Sequence, residues 1–586
     1  MALWQIGNTT VRSPYRLREA LIVLKKSEFY GNLLGKEQET GFAKLLNEKS
    51  IVNVDRLNRE GEADVSDLGR KWRSALAQLG FVVIHLKHRQ KKGIDPEIES
   101  FVVDFPNLTG RPYEITPNGN RLIMAESVAE QQECFLRALT AYWIPSIFET
   151  RYKFPPFSPL RFVLDILLKL EKKGEEPVIK FEEMAAIVQC RTYVDGIDNV
   201  VLEIQHYRNE RKKSENKRKF DKEMLNKSVS TLSKKIKPNT LIDYSDLNFR
   251  YLKATGLFQA KRKSIALRPE KHTLAELLVS DIGKTFDHSV YIKYLWNGAV
   301  LPTDSIIKAL EVVENIITQL EIRGEKVKIP GLENLPMAEI TRWRYQLEER
   351  LLCLKEDEFA DAQSKYWEEI VEFLNFFKTR KSKMTSRQGE IIKIQRSESP
   401  AYFEWIIWRA FLAIDSLANK PWEARRFKVD QDFLPLSHAP GGGPDMVFEF
   451  EEYVLVVEVT LTSSSRQEAA EGETVRRHVA EIAEKFENTE KKVYCLFIAP
   501  NINSNTAETF KIGNWYKKDD TKIPLQIVPF KLEDFINLFT TFFKTNNRDP
   551  VKIKELIVEC RALVNRDAPE WKNEISAETN RFISRL

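Results

Sequence analysis

Apolar positions recur along this chain in three rhythms, and each predicts a different stretch of architecture. In the first 300 residues a helix ends in glycine and feeds a hairpin, and this happens twice. Helical spacing over 64–79 is closed by Gly80, and the strand Phe81-Val82-Val83-Ile84 follows. A loop then leads to a second strand within 113–122, running into Pro117. The second copy has helical spacing over 244–254, then Thr255-Gly256-Leu257-Phe258, the basic turn Lys261-Arg262-Lys263, and the strand Ile265-Ala266-Leu267 before Pro269. That order resembles a winged helix-turn-helix module with the hairpin as its wing, although any helix-plus-hairpin domain shares it. Apolar helical segments at 131–147 and 159–171 join the two copies.

From 303 to 380 the rhythm becomes charged and helical throughout, at 305–310, 343–354 and 366–377, with Gly and Pro concentrated near 329–336. This reads as a helical linker over 301–384, with a polar, basic hinge at 379–393. The last part, 385–586, alternates short β-branched runs with helices. A helix carries Phe403-Glu404-Trp405-Ile406-Ile407-Trp408; a hairpin follows, then a helix at 474–487 and the buried strand Val493-Tyr494-Cys495-Leu496-Phe497-Ile498-Ala499-Pro500. A further strand at 523–529 precedes a helix at 532–543. The expected architecture is multidomain α+β, ending in an α/β domain with a mixed sheet.

Composition narrows the classes. The 586 residues are 42% hydrophobic, enough for a sizeable core and against global disorder. Net charge is only +5, yet bases crowd into 207–237 while 445–475 is acidic, an asymmetry that suggests a nucleic-acid partner. Five cysteines stand far apart with no CxxC pair, which argues against a disulfide framework or a cysteine zinc site. No secretory pattern opens the chain and no apolar run nears the roughly 18 residues of a membrane span, so a cytoplasmic protein with no membrane partner is expected. There is no GxxxxGK[ST] loop, HExxH or GxSxG element.

The hairpin carries the chemistry. Gly441-Gly442-Gly443-Pro444-Asp445 opens one strand, and Tyr453-Val454-Leu455-Val456-Val457-Glu458-Val459-Thr460 forms the other. A two-residue turn at Glu451-Glu452 pairs Phe450 with Tyr453, and counting back sets Asp445 opposite Glu458. Opposed residues on antiparallel strands have Cβ atoms about 4.5–5.5 Å apart. Two like charges that close, beside an apolar strand, repel unless a hard cation such as Mg²⁺ joins them. Metal-assisted chemistry on phosphates is the expectation.

Other residues are ambiguous from sequence. Glu404 either faces solvent along one stripe of its apolar helix or points inward to a metal. Glu471 follows the polar stretch 462–467 and reads as a solvated loop acid or a further acid of the site. His438 is placed to orient Asp445 or a water, or to pack. His478, at the expected start of a helix, either meets phosphate or belongs to a solvated basic turn. Arg208, Arg211, Lys212, Lys213, Lys217, Arg218 and Lys219, with Lys261, Arg262 and Lys263 in the second wing, have the density that suits phosphate contacts; a solvated charged face is the alternative.

Several blocks of this chain resemble a known family. They are His438-Ala439-Pro440-Gly441-Gly442-Gly443-Pro444-Asp445-Met446, Glu458-Val459-Thr460, Arg477-His478, and Tyr494 to Pro500 with Asn503 and Thr506. Weaker ones are Arg12-Ser13-Pro14, Arg208-Asn209-Glu210-Arg211 and Thr255-Gly256-Leu257-Phe258. Together they resemble the AlwI family of type IIS restriction endonucleases, which includes MlyI, PleI and nicking enzymes of the BstNBI type. The resemblance implies a DNA-recognition region at 1–300, a linker, and a PD-(D/E)xK nuclease domain at 385–586. It implies Asp445, Glu458 and Glu404 as metal-binding acids, with Glu471 near the site. Thr460 stands where the general motif has lysine. Double-stranded DNA, Mg²⁺, a companion methyltransferase, and either a transient homodimer through the nuclease domain or a small nuclease subunit are the implied partners. The alternatives are a strand-specific nickase, or the large subunit of a heterodimeric enzyme, and, in another class, a DNA-binding regulator with an inactive nuclease domain.

Overall fold

A computed structural model describes residues 2–52, 65–84, 105–146, 149, 154–232, 236–261, 263–280, 288–329, 331–379, 384–385, 391–392, 394, 396, 398–414, 416–463 and 466–586. The chain divides into two compact units, Met1–Leu351 and Leu352–Leu586. The helical segment expected at 301–384 is shared between them. Its helix Ile306–Glu321 lies in the first unit, Trp367–Thr379 belongs to the core of the second, and Met337–Ala362 runs through the boundary.

The first unit is mostly helical. The helix Ser66–Gln78 ends as its glycine predicts, with Gly80 at φ +73° just beyond the C-cap. Close packing within this unit needs Gly69, because a Cβ there would stand 1.9 Å from the backbone oxygen of Glu39 on the helix Lys36–Glu48. Of the first expected hairpin, one antiparallel bridge joins Val82 to Ile115, and 85–104 lie outside the described residues. The second strand stops there instead of continuing to 122. Thr116 accepts a hydrogen bond from Gly119 N, and Pro117 takes the first position of the helix Pro117–Met124, so cap chemistry ends the strand. A capping box between Ser127 and Glu130 starts the helix Val128–Ala141, and Ser158 caps Pro159–Lys172.

A three-stranded antiparallel sheet follows, made of β1 (Val178–Lys180), β2 (Phe258–Ala260) and β3 (Ser264–Leu267), in the order β1-β3-β2. The hairpin with the basic turn is therefore formed, and β1 joins its far edge from a distant point of the chain. Between β1 and β2 come the helices Phe181–Ala186, Ile197–Lys213, Lys217–Thr231 and Pro238–Ala254. The last of these starts six residues before the expected 244, with Pro238 in its first turn.

After the helix Trp367–Thr379, the second unit has two short antiparallel strands, β4 (Met384–Thr385) and β5 (Ile391–Ile392). Its main sheet is mixed and has four strands. β6 (Met446–Glu449) runs antiparallel to β7 (Tyr453–Val459); β8 (Lys492–Ala499) and β11 (Ile527–Lys531) run parallel to β7. A parallel pair needs a crossover, and the helix Arg466–Lys485 supplies it between β7 and β8. Central strands covered on both faces are apolar throughout, as β7 is from Tyr453 to Val457. The helix Ser399–Ile414 is buried on every side from Phe403 onward, with Trp408 and Phe411 at 0% exposure.

The strand expected at 523–529 is two strands in different sheets. β9 (Asn514–Tyr516) pairs with β10 (Lys522–Pro524), whereas Ile527 onward joins β8. The chain switches sheets after Pro524, which has no amide to donate; Leu525 N bonds Gly513 O and the oxygen of Gln526 accepts from Cys495 N.

Candidate functional site

The register of the β6–β7 hairpin is the one its turn predicts. Met446 faces Val457, Glu449 faces Val454, and Phe450 N donates to Tyr453 O at 2.9 Å. Asp445, one residue before β6, thus lies opposite Glu458. Asp445 N donates to Glu458 Oε2 at 3.3 Å, and Val459 N donates to Asp445 Oδ2 at 2.9 Å. Asp445's own amide and the amide that follows Glu458 thus hold the two carboxyls in place across the hairpin.

Three further side chains converge on this pair. Glu404 points inward at 6% exposure, and its Oε2 accepts a hydrogen bond from Ala439 N at 2.7 Å. That bond ties the helix Ser399–Ile414 to the glycine-rich loop. His438 is exposed next to that anchor rather than packed. Glu471 and His478 both lie on the crossover helix, which begins at Arg466, eight residues before the expected start. Glu471 is therefore a half-buried helical acid, not a loop acid, and His478 is buried in mid-helix rather than exposed at an N-terminus. Instead of facing phosphate from solvent, His478 Nδ1 bonds Glu458 Oε1 at 2.7 Å. Its Nε2 is buried with no hydrogen-bond partner among the described residues.

Burial sets the electrostatics. It raises the Glu404 pKa to about 9, with the Asp445 charge adding to the rise and the Ala439 N–H opposing it. Asp445 is raised well above the carboxylate range by burial and then by Glu458, against the Val459 N–H. Burial also raises Glu458, to about 8, opposed by hydrogen bonds from Asp445 and by the Arg426 cation. Glu471 is raised by burial, while a hydrogen bond with Thr460 holds it down. His478 is lowered, first by burial and then by Arg477. Burial raises every acid of this cluster, and a cation among them would favour their charged forms. Its donors are all carboxylate oxygens, the ligand type of a hard divalent ion. Among the described residues no three His, Cys, Asp or Glu side chains are grouped so as to hold a metal by themselves. Carboxylate donors of this kind suit a hard divalent ion that takes one or two carboxylates and fills the rest of its shell with water and substrate oxygens.

In the first unit the basic run separates into two kinds of residue. Arg208 is 7% exposed and bonds both carboxylate oxygens of the fully buried Glu183, at 2.8 and 3.0 Å, and Val178 O at 2.6 Å. It fastens the helix Ile197–Lys213 to β1 and offers nothing to a phosphate, contrary to the expectation from the run. Arg211 is paired with Asp221 at 2.7 Å. Lys212, Lys217 and Arg218 are exposed. Lys213 and Lys219, also exposed, pair on the surface with Glu210 and Glu223, as Lys261 does with Glu176. Lys263 is exposed, and Arg262 lies outside the described residues.

Arg426 was not among the residues singled out from the sequence. No motif contains it; its backbone bond to Asp445 O, its side-chain bond to Pro444 O and its place under Gly443 bring it to the site.

The chain belongs to the AlwI restriction endonuclease family, whose model matches residues 79–538. It is thus a member of a class of site-specific endonucleases that act on DNA and generally use divalent metals. Among solved structures, part of the chain is similar to the small subunit of the heterodimeric restriction endonuclease R.BspD6I, at 24% identity and a TM-score of 0.27, covering 36% of this chain and 97% of that one. No curated protein matches the chain. No helix among the described residues is long and apolar enough to cross a membrane.

Proposed function

We propose that this chain is a Mg²⁺-dependent type IIS restriction endonuclease that binds a short asymmetric duplex site and cuts a few nucleotides outside it. The observation that carries the reading is the hairpin that sets Asp445 against Glu458, with Glu404 buried beside them. The second unit is read as the PD-(D/E)xK nuclease domain. A helix bearing an acid, an antiparallel hairpin bearing two more and a helical crossover to a parallel strand support that reading.

Asp445 and Glu458 would hold the metal, with Glu404 completing the acidic pocket. A bound Mg²⁺ would supply an activated water and neutralise the charge that develops on the phosphate. Val459 N and Asp445 N keep the two carboxyls aimed together. His478 holds Glu458 from behind, which leaves Glu458 Oε2 toward Asp445. Thr460 offers no cation where the general motif has lysine.

Recognition is assigned to the first unit. Its helices followed by a basic-tipped β2–β3 hairpin, with β1 on the outer edge, support a winged-helix module. The exposed lysines from 212 to 219 and the wing turn would rest on phosphates, and base edges would be read by the helices before each wing. A methyltransferase marking the same site would protect the host's own DNA, and a cytoplasmic location follows from that substrate. A second reading is a strand-specific nickase, or a large subunit completed by a small nuclease partner. It rests on the single acid pair opposed on the β6–β7 hairpin, so that cutting both strands calls for a transient homodimer or a partner. An inactive regulator is disfavoured by the intact acids at 404, 445, 458 and 471.

Plasmid incubated with Mg²⁺ separates these readings: linear product means double-strand cleavage, open circle means nicking, and unchanged plasmid means a regulator. Sequencing the ends gives the site. Asp445→Ala and Glu458→Ala should abolish cleavage while site binding survives in Ca²⁺; wild-type turnover in either variant rejects the assignment.

A further inference from the structure

The arginines of the second unit are mostly spent on the fold. Arg409 bonds Glu369 at 2.8 Å and Gln363 at 2.7 Å. Arg425 holds Glu356 through two bonds of 2.7 and 2.8 Å. Its neighbour Arg426 is placed differently. The bridge between Arg425 and Met446 lays this segment along β6, and Arg426 N donates to Asp445 O at 3.3 Å. Its half-buried guanidinium makes one long hydrogen bond, Nη1 to Pro444 O at 3.4 Å, and among the described residues meets no carboxylate at ion-pair distance. It lies under Gly443, where a Cβ would stand 2.4 Å from Nη1. The guanidinium therefore fills the space that the absent side chain leaves, next to the opposed acids. Its field reaches them, since it lowers Glu458 and also pushes His478 down.

A guanidinium carries five donors in a planar fork that matches phosphate oxygens. Here nearly all of those donors are uncommitted, in a loop that borders Asp445. We propose that Arg426 is the substrate-contacting cation of this site, donating to a non-bridging oxygen of the scissile phosphate in the role that Thr460 leaves open. The proposal rests on the nuclease reading of the second unit. In the step it serves, one water is consumed: its oxygen bonds to phosphorus, one P–O ester bond breaks, and the departing oxygen takes a proton. Arg426 keeps all its protons and stabilises the added negative charge. Gly443 acts with it by leaving room for the fork.

The test uses the full chain and its variants Arg426→Gln, Arg426→Lys and Gly443→Ala. Single-turnover cleavage of plasmid in Mg²⁺ is read beside thermal melting and anisotropy of the mapped site duplex in Ca²⁺. Losing one donor to a developing oxyanion costs about 10²–10³-fold in rate, and that loss is expected for Arg426→Gln. Duplex affinity should stay within about threefold and melting should be unchanged, because the side chain anchors little of the fold. Arg426→Lys should recover at least about tenfold over Arg426→Gln, since it restores the charge without the fork. Gly443→Ala, which displaces the guanidinium while keeping it, should slow cleavage as well. Wild-type turnover by Arg426→Gln overturns the proposal. So does a parallel loss in the Gln and Lys variants accompanied by lower melting or weaker duplex binding, which marks a structural role. If the wild-type chain leaves every plasmid intact, the nuclease reading itself fails, a result distinct from an active enzyme indifferent to residue 426.

Discussion

Replacing Glu404 by glutamine should stabilise the metal-free protein at neutral pH, although it removes a residue of the candidate site. Glu404 is 6% exposed, and its pKa is raised from 4.5 to about 9 by burial and by the charge of Asp445. In the unfolded chain it ionises near its ordinary value, so between those two values the folded state binds the extra proton and stability falls as pH rises. At about pH 7.5 the cost of keeping that proton is roughly three pH units at 1.36 kcal/mol each, an upper limit near 4 kcal/mol. Asp445 and Glu458 share the same field, so a gain of about 2 kcal/mol is a reasonable floor. Glutamine keeps an oxygen to accept from Ala439 N and needs no proton. A domain the size of the second unit gains roughly 2–4 °C of melting temperature per kcal/mol. The assay is calorimetric melting of wild type and Glu404→Gln in EDTA, from about pH 5 to 8.5. The gain should be largest at the alkaline end and vanish only below about pH 4.5, where the acid is protonated in both states. A variant no more stable at pH 7.5, or a gain independent of pH, would refute the account. Added Mg²⁺ should narrow the difference, because it stabilises the wild type, which keeps all three carboxyls, more than the variant.

Arg208→Ala should destabilise the first unit by about 3–5 kcal/mol, because it leaves Glu183 buried without its partner; denaturant unfolding measures this. Changing Lys212, Lys213 and Lys219 together to alanine should weaken matched and mismatched duplexes alike and reduce the slope of log K against log salt by roughly one unit for each phosphate these lysines neutralise; an unchanged slope would make that run a solvated face. Gly69→Ala drives a methyl into the Glu39 backbone and should cost at least about 1–3 kcal/mol in melting experiments, with no effect on the chemistry of the second unit.

How far the sequence could be read depended on which force set each feature. The acid pair was legible because a two-residue turn fixes register and strand periodicity does the rest. Glu404 was not, since a helix apolar on every face has no stripe from which to infer direction. The crossover helix starts earlier than its apolar rhythm announces, because its first turns, from Arg466, are polar. That difference takes Glu471 out of a loop and moves His478 away from a helix end. Arg208 reads in sequence like the charges around it, yet Val200, Val201, Ile204 and Tyr207 set a helical face on which position 208 falls inward. β1 is three residues long and owes its pairing to a partner more than eighty residues away, so no local pattern announces it. Arg426 carries no signal at all, because its role depends on a contact across eighteen residues with a loop of glycines.

The crossover between β7 and β8 has a consequence for the order in which the site comes into being. Asp445 and Glu458 sit on a hairpin of short sequence separation, and such hairpins form in roughly 1–10 μs. Parallel pairing must first close a long loop, which makes it slower. Glu471 and His478 ride on that loop, so they arrive only when β8 docks, and β8 in turn is flanked by β11, which begins at Ile527. During synthesis, a ribosome-bound chain that has released the hairpin still lacks the strand that brings the histidine against Glu458. The acids of the candidate centre are thus placed by a local hairpin, while the histidine that holds Glu458 depends on the longer-range closure of the crossover.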